Sequence, residues 1–190
     1  MQFFRKHLKF FGALLILLCF AYFTARVDHT MLVATIGIRN IYALTFVFAV
    51  IGGVSTLSAA SFYTALFSFA LGGANPFLLA AFSAPGMLLG DSFFWYLGST
   101  AEEIVRPFFR SIIEKSAAWL NKKPSWVMPI AVYVYTGFTP LPGDFLMVAL
   151  AVLGYRFRQI MLPTLLGNYT LTLIISLSAV YELSFVNAIR

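Results

Sequence analysis

The chain has 190 residues, 61% of them apolar and only 11% charged, with a mean hydropathy of +0.87. A soluble domain carries about 25% charged residues and has too little interior at this length to hide so much Phe, Leu and Ala, so the composition specifies an integral membrane protein. The net charge of +6 fits cytoplasmic loops rather than a nucleic-acid surface, because no basic stripe is interleaved with aromatics in a polar context, and the single cysteine, Cys19, excludes an internal disulfide or a zinc spacing.

The basic start "MQFFRKHLKFF" leads into an apolar run from Leu8 to Ala25. A cut after Ala25 would put Phe23 at the −3 position, which a signal peptidase handles poorly, so the expectation is an uncleaved first transmembrane helix within residues 1–26. Residues 26–40 read as an interfacial link. Residues 41–55 are apolar but too short to cross ~30 Å of hydrocarbon, and they stop at Gly52-Gly53. Residues 56–73 are again short, rich in Ser, Thr and Ala, and end at a Gly-Gly pair. Residues 77–99 are long enough to span and carry Pro85-Gly86 and Gly90-Asp91.

Charge density rises over residues 100–125, where apolar and charged residues alternate at near-helical spacing. This predicts a cytoplasmic linker of one or two amphipathic helices on the membrane surface. Residues 126–138 and 144–154 are two more short apolar pieces, separated by the break "TPLPGD", which contains Pro140, Pro142, Gly143 and Asp144. "YRFRQ" follows with Arg156 and Arg158, and residues 160–183 form a second full span with Gly167-Asn168 in its first half.

Short, short, long thus occurs twice, around a basic linker. Sliding one half over the other sets Gly72 on Gly154, and then, after a five-residue gap, Gly90-Asp91 on Gly167-Asn168. If each short pair is a re-entrant hairpin, ten Lys and Arg fall inside (Arg5, Lys6, Lys9, Arg106, Arg110, Lys115, Lys122, Lys123, Arg156, Arg158) and three outside (Arg26, Arg39, Arg190). That obeys the positive-inside rule with a cytoplasmic N-terminus and gives the halves opposite orientations. The expected fold is an all-α membrane protein: an N-terminal transmembrane helix, then an inverted repeat of two re-entrant hairpins, each followed by a transmembrane helix. It forms one domain over residues 1–190, with halves at 41–99 and 126–184.

Broken backbone at membrane depth persists only where protein buries it or water reaches it. Asp144 begins the helix after the break, where it serves as a cap, a functional carboxylate, or both. Asp91, inside a span, either bonds a neighbouring helix or faces the same wet cavity, and Asn168 is its counterpart. Ser58 and Ser61 belong to a small-residue run suited to close helix approach. The candidate path is therefore Asp144, Gly143, Pro142, Pro140, Asp91, Asn168, Ser58 and Ser61, with Arg156 and Arg158 as headgroup or cytoplasmic-side contacts. No nucleophile–base pair, nucleotide fingerprint or metal-ligand spacing occurs, so no enzyme chemistry, cofactor or metal is expected.

"TPLPGDFLMVALAVLG", with "GDSFFWYLG" upstream, resembles the DedA family, also known as the VTT or SNARE-associated Golgi protein family. The residues that carry the likeness are Pro140, Pro142, Gly143 and Asp144, and Gly90, Asp91, Tyr96 and Gly98. The resemblance covers roughly residues 40 to 180. It implies lipid translocation or scrambling, of a phospholipid or a polyprenyl-phosphate, in a bacterial inner membrane. Family members often carry an acid in the first re-entrant loop, an arginine just before the proline motif and a Gly-Arg in the last span. Here those places hold "STLSAASF", Thr136-Gly137 and Gly167-Asn168, which implies a passive or divergent translocator. The implied partners are membrane lipids; a homo-oligomer is compatible with the chain, and nucleic acid is not a partner. The competing readings are a proton-coupled small-solute or drug antiporter using the same cavity, and a membrane scaffold acting through the linker.

Overall fold

A computed structural model describes residues 40–54, 56–121, 124–139 and 143–189, with side chains at 40–54, 58–100, 124–139 and 143–181. The expected N-terminal helix, Pro140 and Pro142 lie outside the described residues. Six helices and no strand occur among the described residues: α1 (Ile41–Gly53), α2 (Thr56–Leu71), α3 (Pro76–Asn121), α4 (Val127–Phe138), α5 (Gly143–Val152) and α6 (Phe157–Ile189). The fold class is all-α. Two segments, Pro76–Thr100 and Phe157–Tyr181, are long and apolar enough to cross a membrane.

The glycine pairs that punctuate the sequence are the helix ends. α2 and α5 stop in the same motif. Ala74 N–H donates to Phe69 O and Gly73 N–H to Ala70 O, both at 3.1 Å; Tyr155 N–H donates to Leu150 O and Gly154 N–H to Ala151 O, both at 3.0 Å. These are Schellman caps, which need a left-handed residue just past the helix. Gly73 (φ +90°) and Gly154 (φ +83°) supply it. The residue that does for α2 what Gly154 does for α5 is thus Gly73, and not the Gly72 that the sequence alignment sets on Gly154. Gly73→Ala and Gly154→Ala are each predicted to cost ~1–2 kcal/mol, whereas Gly72→Ala, whose added Cβ would meet only Phe69 O and Ser68 O at 3.4 Å, is predicted to be nearly neutral. Thermal melts of the detergent-solubilised variants check this; equal midpoints for all three would contradict it.

The linker differs from expectation. Residues 100–121 are not separate surface helices but continue α3 as one helix of 46 residues. No glycine interrupts this stretch, and a lone Pro107 does not end the helix.

α3 and α6 pack against each other and run antiparallel. α1 lies along α3 and α4 lies along α6, while α2 crosses to α6 and α5 crosses to α3. The antiparallel sense follows from three contacts. The Trp95 indole N–H on α3 donates to Tyr155 O, just before α6, at 3.0 Å. Asp91 meets Asn168 at mid-helix. Leu79 and Met87 share a cluster with Ala179.

Two apolar clusters result, one at each end. The first joins Phe48, Phe62, Leu66 and Phe69 of α1 and α2 to Leu79 and Met87 of α3 and Ala179 of α6. The second joins Phe94 and Leu97 of α3 to Val132, Met147, Leu150 and Ile160 of α4, α5 and α6.

Between them the helices are inside out. α6 buries Thr164, Asn168, Thr172 and Ser176, one turn apart, and exposes Met161, Leu162, Leu166 and Ile174. α3 buries Ser83 and Asp91 and exposes Phe77, Leu78, Phe82 and Leu89. Most of the buried hydroxyls return to the carbonyl one turn back: Ser83 to Leu79, Thr136 to Val132, Thr172 to Asn168 and Ser176 to Thr172, at 2.7 to 2.9 Å. Such local bonds satisfy the hydroxyl without a partner helix. Thr164 Oγ1 is buried with no hydrogen-bond partner among the described residues.

Candidate functional site

The site is built from two glycine crossings. On α3, Gly90 lies so close to the end of α1 that a Cβ there would overlap the Gly53 backbone. On α6, a Cβ at Gly167 would overlap the Thr136 side chain near the end of α4, and Gly137 approaches Gly167 from the other side, its Cβ position 3.3 Å from Gly167 Cα. Each long helix thus receives the end of one short helix at a glycine, and in each the next residue is polar: Asp91 after Gly90, Asn168 after Gly167. The two crossings bring the turns after α1 and α4 to the level of the polar pair.

Asp91 and Asn168 bond each other. Asn168 Nδ2 donates to Asp91 Oδ2 at 2.7 Å, with the residues only 6% and 3% exposed. Asp91 Oδ1 points to the start of α5, 3.1 Å from where a Cβ on Gly143 would lie; a side chain at 143 would crowd it. Asp144 stands in the first turn of α5, where the helix dipole favours a carboxylate.

These groups line a cavity of about 220 Å³ to which all six helices or the turns at their ends contribute. Gly52 and Gly53 come from α1; Ala59, Ala60 and Tyr63 from α2; Met87 and Asp91 from α3. Thr136 and Thr139 come from the end of α4, Gly143 and Asp144 from α5, and Asn168 and Leu171 from α6. Among the described residues the polar lining is two carboxyls, one amide, one phenol and two threonine hydroxyls. No group of three His, Cys, Asp or Glu that could hold a metal ion occurs among the described residues.

The chain matches no family model, no curated protein and no solved structure.

Of the residues singled out in the sequence, the fold brings Asp144, Gly143, Asp91 and Asn168 to one cavity. Ser58 is not in its lining. It is buried against the end of α1, where its Oγ donates to Ile51 O at 2.9 Å and helps cap that helix. Ser61 is half-buried and also outside the lining, which takes Ala59, Ala60 and Tyr63 from that helix instead. Arg156 and Arg158 are exposed at the turn between α5 and α6. The ten residues of α5 separate them from the cavity by about 15 Å of helix.

Tyr63, Thr136 and Thr139 are cavity residues that the sequence does not single out as such. On a uniformly apolar helix a tyrosine or threonine carries no mark of the side it faces. The available signal is positional: Thr139 opens the "TPLPGD" break, Thr136 lies just before it, and Tyr63 lies two turns into α2, the helix that follows the Gly-Gly end of α1.

Proposed function

We propose that the chain is an integral membrane protein of the DedA or VTT type that translocates lipids, with its headgroup path through the cavity at Asp91, Asp144 and Asn168. The observation that carries this reading is that cavity itself, at the level where the turns of two short helical pairs meet between two long apolar helices.

Three features support it. The first is the burial of Asp91, Asn168, Thr164, Thr172 and Ser176 while Phe77, Leu78, Phe82, Leu162 and Leu166 stay exposed; apolar surface on this scale needs a non-aqueous surrounding. The second is length. With 13, 16, 12 and 10 residues, α1, α2, α4 and α5 reach about 20, 24, 18 and 15 Å. All fall short of the ~30 Å core, so each pair enters and returns as a re-entrant hairpin. The third is the matching of the halves. α1 on α3 corresponds to α4 on α6, α2 on α6 to α5 on α3, and the cap at Gly73 to the cap at Gly154. Antiparallel long helices make that correspondence an inverted repeat. With Gly73 set on Gly154, the gap before Gly90-Asp91 and Gly167-Asn168 shrinks to about one helical turn, which keeps the same face. The excess of Lys and Arg on one side of this arrangement supports a cytoplasmic N-terminus in a bacterial inner membrane.

At about 220 Å³ the cavity is below the ~300–1,000 Å³ of ordinary ligand pockets. A whole lipid does not fit, whereas a headgroup fragment does, with its acyl chains outside among the exposed Phe and Leu side chains. Asp144→Asn is predicted to lower transbilayer movement of a fluorescent phospholipid in proteoliposomes by roughly tenfold, the worth of one charge-assisted hydrogen bond, with an unchanged elution profile. An unchanged rate removes Asp144 from the path. A second reading, a proton-coupled antiporter of small solutes or drugs, is favoured by the two carboxyls in the lining. Uptake of a cationic dye that stops when the pH gradient is collapsed separates it from lipid movement.

A further inference from the structure

We propose that α3 bends over after it leaves the span and lays residues 101–121 along the membrane surface, as an amphipathic docking helix for an anionic leaflet. This rests on the chain being embedded in a membrane and not on what passes through the cavity. Chain length alone forces the bend. Asp91 and Asn168 bond each other, and Gly137 of α4 meets Gly167 beside them, so these residues share one level. From that level a straight α3 would carry Asn121 about 45 Å along its axis. The chain must then come back to α4, which runs from Val127 to the same level. Between Val127 and Gly137, α4 covers at most about 15 Å. Val127 N–H donates to Pro124 O at 3.0 Å, which closes a turn less than about 7 Å across. The three links from Asn121 to Pro124 reach about 11 Å when fully stretched. Asn121 therefore stands no more than about 33 Å beyond the polar pair, and a straight helix overshoots by about 12 Å. α3 stays helical to Asn121, so beyond Thr100 its mean direction leans about 50° or more from the axis of the span. Pro107 is the single proline between Thr100 and Asn121, and a proline inside a helix removes a backbone bond and kinks it.

The leaning segment has the sequence of an interfacial helix. At ~100° per residue, Ile104, Phe108, Phe109, Ile112, Trp119 and Leu120 fall in one half of its circumference. Glu103, Arg110 and Glu114 fall in the other half, and Arg106 and Lys115 fall near the edges between them. An apolar half with a tryptophan, bordered by long basic side chains, is what lies in the plane of a headgroup layer. The short return to α4 holds the helix down towards the bilayer, so lipid is the nearest apolar phase its apolar half can reach. The charge there is positive. Glu102 and Glu103 come before Pro107 in the first turn past the span, whereas Arg106 to Asn121 holds three basic residues and one acidic. Arg156 and Arg158 are exposed in the turn between α5 and α6, at the same end of the molecule, since Trp95 near the end of the span bonds Tyr155 O. Basic residues close to the surface draw a segment to anionic lipid and only weakly to a zwitterionic one.

Cys19 is the single cysteine, so the full chain with Cys19→Ala accepts one spin label at a time, at each position from 104 to 120 in turn. Each labelled chain is reconstituted into vesicles of phosphatidylcholine alone, or of phosphatidylcholine and phosphatidylglycerol in equal parts. The collisional access of oxygen and of a nickel chelate is then read. Tyr96→Cys, on the exposed face of the span, gives the reading of an embedded site in every preparation. The expected result in the mixed vesicles is a period of ~3.6 residues, with oxygen favoured at 108, 112 and 119 and nickel at 110 and 114. The oxygen-to-nickel ratio at Ile112→Cys should be roughly fivefold lower in phosphatidylcholine alone, and lower to the same degree when Arg106→Gln, Arg110→Gln and Lys115→Gln are combined. Nickel access that is equal all round the helix overturns the surface placement. A period that is the same with and without phosphatidylglycerol overturns the anionic partner. Line broadening that vanishes on dilution with unlabelled chain assigns the apolar half to a second copy and overturns the lipid assignment. Lipid movement measured on the same vesicles stands or falls separately from all of these outcomes.

Discussion

Gly90→Ala is expected to be among the most destabilising single-methyl changes in this chain. The sign is informative, because two effects oppose each other. Inside a helix, alanine is better than glycine by ~1 kcal/mol, so propensity alone predicts stabilisation. Against this, a Cβ at Gly90 would overlap the backbone of Gly53, and backbone cannot rotate aside as a side chain can. Overpacking of this kind costs about 1–3 kcal/mol and more when main chain must move, so the overlap wins. α1 must then lift off α3, and with it go the Gly52-Gly53 edge of the cavity and the contact that seats Phe48 near Met87. Gly167→Ala should be milder but still destabilising: its closest overlap is with the Thr136 hydroxyl, which can turn away at the loss of its bond to Val132 O, while Thr136 Cβ at 2.9 Å and Gly137 N at 3.1 Å must still give by a few tenths of an ångström. Melting midpoints by intrinsic fluorescence in detergent, with size-exclusion profiles, give the comparison. A Gly90→Ala midpoint at or above that of the parent chain would mean that α1 and α3 do not cross at this point.

The helices were largely legible in the sequence because each ends at a local breaker. Residues 41–55 became Ile41–Gly53, residues 126–138 became Val127–Phe138, and residues 144–154 became Gly143–Val152. The sequence sets Gly72 beside Gly154 where the shared cap sets Gly73, because Gly72 and Gly73 are the same letter and only the sign of φ separates them. The linker was misread because amphipathic spacing says helix but not whether that helix is new or the end of the last one. The site was half legible. Asp144 and Asp91 stand out as carboxyls in apolar surroundings, and a charge there is costly enough to notice. Their relation did not stand out. Asn168 reads in the sequence only as the counterpart of Asp91. In the fold the two are hydrogen-bonded to each other, which follows from antiparallel α3 and α6 crossing at equivalent positions. That crossing is tertiary and leaves no local trace. Ser58 lies outside the cavity lining for the same reason: a small polar residue on an apolar helix marks close packing as readily as a wet face, and here its hydroxyl bonds the end of α1.

Asp91→Asn and Asp91→Leu should separate what the carboxylate does for the fold from what it does for the cavity. Asparagine keeps an acceptor where Oδ2 stands, so the Asn168 amide can still donate across the 2.7 Å gap, while the charge disappears. Leucine removes both and leaves the Asn168 Nδ2 buried with nothing to bond. An unsatisfied buried donor costs ~1–3 kcal/mol, and branched apolar bulk would also press on Gly143, close to where Asp91 Oδ1 now lies. The expected pattern is therefore graded. Asp91→Leu lowers the melting midpoint and abolishes lipid movement. Asp91→Asn holds the midpoint near that of the parent chain yet slows headgroup movement by roughly tenfold or more, the worth of a charge-assisted hydrogen bond. The exchanged pair, Asp91→Asn with Asn168→Asp, restores a carboxylate–amide bond with the charge moved to α6. It should keep the midpoint and regain part of the rate, because both positions line the same cavity. Parent-like movement in Asp91→Asn would make the carboxylate a packing element only. A midpoint that falls as far in Asp91→Asn as in Asp91→Leu would make its charge, and not its hydrogen bond, the feature that holds α3 to α6.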